Sequence, residues 1–90
     1  MDKAIITVVG RDRVGIIAAV TTYLSDHKVN VLDISQTIID GFFNMMMIVD
    51  CSDPDIPFDD LSVGLKTLGQ GIGVRIRAQR EEIFTSMHRI

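Results

Sequence analysis

Asp40-Gly41 lies between two runs in which apolar and polar residues interleave, and no other dipeptide in the chain restricts the fold so tightly. Asp-Gly suits a two-residue turn with positive φ at both positions, and the twist of that turn matches a pair of antiparallel strands. The flanking runs, 30–39 and 42–51, are therefore expected to form a hairpin. A two-residue loop also fixes the register: 39 faces 42, 38 faces 43, and so on. Leu32, Ile34, Gln36 and Ile38 then share a face with Phe43, Met45, Met47 and Val49, the expected core side. The opposite face carries Asp33, Ser35, Thr37 and Asn44, but also Ile39, Phe42, Met46 and Ile48. An open patch of that kind seldom faces water without a use.

The remaining elements fall on either side. Residues 4–9 are almost continuously apolar and read as a central strand. After Gly15, the residues Ile16, Ala19, Val20, Tyr23 and Leu24 recur at helical spacing, with Asp12 as the expected N-cap and Asp26-His27-Lys28 as the polar exit. Ser52-Asp53-Pro54-Asp55 reads as a loop. Pro57 suits the first turn of a second helix, whose stripe is Phe58, Leu61, Leu65 and Leu68 and whose expected C′ glycine is Gly69. Gly71 and Gly73 bracket the entry to a last strand over 74–79, with Val74, Ile76 and Ala78 facing inward and Arg75 and Arg77 outward. A final helical pattern over 81–89 carries Ile83, Phe84 and Met87, a candidate cover for the open patch. With right-handed crossovers, the order β-α-β-β-α-β predicts an α+β, ferredoxin-like fold: a four-stranded antiparallel sheet, order 4-1-3-2, two helices on one face, and an extra C-terminal helix. The 90 residues are expected to form one domain, with a core over 3–80 and the added helix over 81–89.

Composition narrows the function. The hydrophobic fraction of 47% is enough to fold, but a domain this short buries only about 60–65% of its unfolded surface, so self-association is expected to help it. A net charge of −3 argues against a nucleic-acid binder, and the pairs Arg11/Arg13 and Arg75/Arg77 are too small for a polybasic patch. No apolar run approaches the ~18–20 residues of a membrane span, and Asp2-Lys3 leading into a strand does not read as a signal peptide. A cytoplasmic protein without membrane partners is the expectation. Cys51 is the single cysteine, so no internal disulfide or multi-cysteine metal site is expected. His27 and His88 read as solvated, without an acidic partner. Met45 and Met47 read as core fillers, and Met46 as a contact residue on the open face. Asp33 and Ser35 have no nearby histidine, so no catalytic pair, metal or cofactor is implied.

The turn over Gly10-Arg11-Asp12-Arg13-Val14-Gly15 is the candidate site. A strand feeding a helix through so tight a turn aims free backbone N–H groups at one spot, where a small anion such as an amino-acid carboxylate can sit. It is not a phosphate loop, because Ile16-Ile17 stand where Lys and Ser/Thr are needed. Nor is it an acylphosphatase loop, because Ile16, Ile17 and Ala18 offer no arginine to grip a phosphoryl group. An RNA-recognition module shares the element order, but the first strand here lacks the stacking aromatics. The alternative left open is that Gly10 and Gly15 only permit the turn and close helix packing.

The segments 7–16, Val29-Asn30-Val31, Asp33-Ile34-Ser35-Gln36-Thr37 and Phe43-Asn44-Met45-Met46-Met47 together resemble the ACT domain, a small ligand-binding regulatory module attached to many enzymes of amino-acid metabolism. The resemblance spans residues 3 to about 80, and is nearest to the stand-alone bacterial type similar to the regulatory protein of the glycine cleavage system. Val14 departs from the pattern, since such domains often have proline before the glycine. The resemblance implies a homodimer whose second strands pair edge to edge, or a higher oligomer built on it, with an amino acid between the turn of one subunit and the second strand of the other. Carried over by position, the ligand residues are Gly10, Arg11, Asp12, Arg13, Val14, Gly15 and Ile16 with Asn30, Val31 and Leu32. The N–H groups of Gly15 and Ile16 would hold the carboxylate, and Asp12 and Asn30 the ammonium. The implied function is amino-acid sensing, signalled by ligand-linked association or through a regulatory protein partner. The alternative is a structural interaction domain that has lost its ligand.

Overall fold

A computed structural model describes residues 2–52 and 54–81. The order is β1 (Lys3–Arg11), α1 (Ile16–Asp26), β2 (Asn30–Ile39), β3 (Phe42–Asp50), α2 (Phe58–Ile72) and β4 (Val74–Arg80). The strands form one antiparallel sheet in the order β2-β3-β1-β4, the ferredoxin-like arrangement expected. The predicted helix over 81–89 lies, beyond Glu81, outside the described residues.

Asp40 (φ 53°) and Gly41 (φ 80°) make the two-residue turn, and Ile39 faces Phe42 and Ile38 faces Phe43 as the turn requires. The register holds as far as Asp33, opposite Ile48, and then shifts, so that Val31 and not Leu32 lies level with Val49. Leu32 therefore leaves the core side. It is 42% exposed, while Val31 packs against the core. A bulge of this kind inserts one residue and reverses the alternation beyond it.

The core lies between the helices and one sheet face. Ile6, Val8, Met47 and Val49 meet Val20 and Leu24 of α1 and Leu61 and Leu65 of α2, all fully buried. Tyr23 on α1 lies against Gly64 on α2: a Cβ at Gly64 would fall on the Tyr23 hydroxyl. The expected end of α2 at Gly69 is corrected. The helix runs on to Ile72, and Gly73 is the left-handed residue that ends it. Gly69 is instead a close-approach point, where a Cβ would come within 2.6 Å of the Val74 carbonyl oxygen. Cys51 is buried and burial pushes its thiol up, as suits a small apolar residue.

Candidate functional site

β1 runs two residues further than expected, through Gly10 and Arg11. Gly10 is thus a strand residue, level with Phe43 and Val74, and its missing Cβ leaves room for the Val74 side chain 2.8 Å from where that Cβ would be. The turn itself spans only residues 12–15. Gly15 precedes α1 at φ 92°, a left-handed conformation that costs other residues about 1–2 kcal/mol, and its carbonyl accepts the Ala19 N–H at 2.9 Å.

Asp12 is not the N-cap. It lies three residues before Gly15, out of reach of the first helical turn, and its backbone N–H donates to the Gly41 carbonyl at 3.0 Å. No side chain caps α1, and its first turn holds no acidic residue. Neither the cap residue nor the first turn thus supplies a carboxylate to the N–H groups at this helix start, and the Asp12 carboxylate is exposed. Three contacts hold the turn in place. One is the Asp12–Gly41 bond; another is the Arg11 guanidinium, 5.4 Å from the centre of the Phe42 ring. The third is Arg13, whose Nη1 donates to the carbonyl of Ile72, the last residue of α2, at 3.0 Å. Arg13 is therefore committed to a strut, and Val14 stands fully exposed at the tip.

Gly10 through Ile16 come together at one end of the sheet. Asn30, Val31 and Leu32 do not join them. Asn30 is level with Asp50, which is level with Lys3, so eight residue steps along β1 separate its level from Arg11. That distance is roughly 27 Å. Within one chain the two halves of the predicted site stand at opposite ends. The neighbours Gly41, Phe42 and Ile72 could not be read from the sequence, because each meets the turn through a contact between distant segments.

Other polar groups are accounted for locally. The expectation that His27 lacks an acidic partner is corrected: its Nδ1 lies 2.8 Å from an Asp55 carboxylate oxygen, and its ring meets Tyr23 edge-on. Burial, then the charges of Asp55 and Asp60, push the Tyr23 phenol up. The Ser52 hydroxyl and N–H, both donating to Asp50, hold that carboxyl below its ordinary value. Among the described residues, no three or more His, Cys, Asp or Glu side chains gather where they could hold a metal ion. No helix among those residues is long and apolar enough to cross a membrane.

The sequence profile of the ACT domain matches residues 2–79, and the chain belongs to the ACT domain family. It is similar along its whole length to a UPF0237 protein of Bifidobacterium longum, at 71% identity over 90 residues and with all of both chains covered. Its structure is similar to that of an ACT domain protein from Streptococcus pneumoniae, with a TM-score of 0.82, 42% identity, and 92% and 93% of the two chains covered. A putative glycine cleavage system transcriptional repressor shares the fold at a TM-score of 0.74 and 23% identity, over 88% of this chain and 45% of that one.

Proposed function

We propose that the chain is a regulatory, non-catalytic module that binds a free amino acid between two copies of itself. The observation that carries this reading is the state of β2. It is an edge strand whose residues, Val31 apart, are all exposed, and among them are Leu32, Ile34, Ile38 and Ile39. A long apolar edge with one charge, Asp33, and no proline has little to resist pairing with its own kind.

The pairing geometry follows from one hydrogen bond. The Asp33 carboxylate accepts the Ile34 N–H at 2.8 Å, which marks that N–H as turned away from β3. The period of two gives Gln36 and Ile38 the same aspect. A two-fold axis at Gln36 then sets Ile34 beside Ile38 of the partner subunit, and brings residues 31 and 32 level with the partner's turn at 41 and 40. The Gly41 carbonyl carries the Asp12 loop, so the two distant halves of the candidate site meet across the axis. In this reading the free N–H groups of Gly15 and Ile16 hold the carboxylate, and Asp12 with the Asn30 amide oxygen meets the ammonium. A ligand touching both copies favours the dimer by its difference in affinity for the two states.

A thermal-shift screen of the common amino acids, followed by light scattering on dilution with the best of them, tests the proposal. A ligand at ~100 times its Kd is expected to add about 2.7 kcal/mol to stability and to hold the dimer together on dilution. Asn30→Ala is expected to weaken that ligand while leaving the fold intact. A dimer that no amino acid stabilises would instead be an assembly domain without a ligand.

A further inference from the structure

The other edge of the sheet has a different character. β4 carries three arginines and no acid, in a chain whose net charge is −3. A cleft of 580 Å³ follows it, lined by every strand residue from Val74 to Ala78 and, across from them, by Ser62, Lys66 and Gln70 of α2. That volume lies within the ~300–1,000 Å³ typical of ligand sites. Successive strand residues point to opposite faces. A cleft that all of them line therefore runs along the outer edge of the strand, not over one face. Ser62, Lys66 and Gln70 recur every fourth position and form one wall. Among the described residues, no strand pairs with this edge, so alternate N–H and C=O groups of β4 open into the groove.

We propose that the groove docks an extended acidic segment of another protein, added beside β4 as a fifth strand. The backbone edge supplies the ladder, Arg75 and Arg77 take carboxylates at alternate positions on one face, and Lys66 takes one on the other. The same charges exclude a second copy of this chain, because antiparallel self-pairing of β4 sets arginine against arginine. β2 has no such obstacle. The two edges are thus divided: the apolar one meets its like, and the cationic one selects an unlike partner.

The test is a titration of isotope-labelled protein, without amino acid, by a synthetic peptide of alternating glutamate and threonine long enough to span β4. A peptide of alternating lysine and threonine is the control. The expected result is a set of amide shifts confined to β4 and the 62–70 face of α2, with slowed exchange of the β4 amides. The exposed double variant Arg75→Glu/Arg77→Glu is expected to weaken the acidic peptide about ten-fold and to gain binding of the basic one. No binding of the acidic peptide, equal binding of both peptides, indifference to the double variant, or shifts centred on β2 would each overturn the proposal. The groove shares no residue with the amino-acid site, so either reading can fail alone.

Discussion

Asp50 shows how a single half-buried residue can make stability depend on pH. It ends β3, and its carboxylate accepts the Ser52 hydroxyl and the Ser52 N–H, which together lower its pKa in the folded chain. A carboxyl depressed in the folded state adds stability above its unfolded pKa of about 4 and loses it as the pH falls through the folded value. The melting temperature of Asp50→Asn is therefore expected to lie below that of the parent at neutral pH, and the gap to close in strong acid. Melting curves of the two proteins across that range check this, and a gap independent of pH would assign the effect to packing. At this scale the sequence was least legible. The pairing of His27 with Asp55 and the strut from Arg13 to Ile72 join residues 28 and 59 positions apart, and no local pattern announces either.

At the scale of elements, α1 ends in a Schellman arrangement. The Lys28 N–H donates to Ser25 at 3.0 Å and the Val29 N–H to Leu24 at 2.9 Å, while Val29 and Leu24 are both buried. Lys28 holds φ 62° to allow this. Lys28→Gly removes the left-handed strain but frees the unfolded chain, so the expected gain is about 0.5–1 kcal/mol, read from denaturant unfolding. The polar exit of this helix was visible in Asp26-His27-Lys28; the conformation of Lys28 was not. The hairpin was legible because Asp40-Gly41 specifies both turn and register through adjacent residues. The bulge at Leu32 was not, because the register slips where β2 passes the end of β3, a fact of pairing and not of pattern. The end of α2 is not legible for a related reason. Gly69 and Gly73 are equally plausible stops, and the close approach of β4 gives Gly69 a different task. For the candidate site, Gly15 and the residues around it were legible, while the role of Asp12 was not. Capping depends on where β1 stops, and β1 stops two residues late.

The whole molecule is a sheet with two unlike edges, and its assembly should follow from one of them. Gln36→Pro removes an outward N–H of β2 and leaves the ladder to β3 in place, which an edge strand tolerates. The variant is expected to fold with the parent's circular dichroism spectrum yet sediment as a monomer, whereas Arg77→Ala on the other edge should leave sedimentation unchanged. A Gln36→Pro protein that remains dimeric would move the contact away from β2. The bulge then gains a meaning beyond its local geometry. It interrupts β2 just before Asp33, and the Asp40-Gly41 turn interrupts the strand just after Ile39. Between these two stops, the straight part of the edge works as a gauge block. Two copies laid against each other match it end to end in one alignment alone, and any slip of two residues leaves ladder partners unmet at both ends. In the proposed dimer, an apolar strand that could otherwise slide along its twin would thereby be held to a single setting, by an inserted residue at one end and a tight corner at the other.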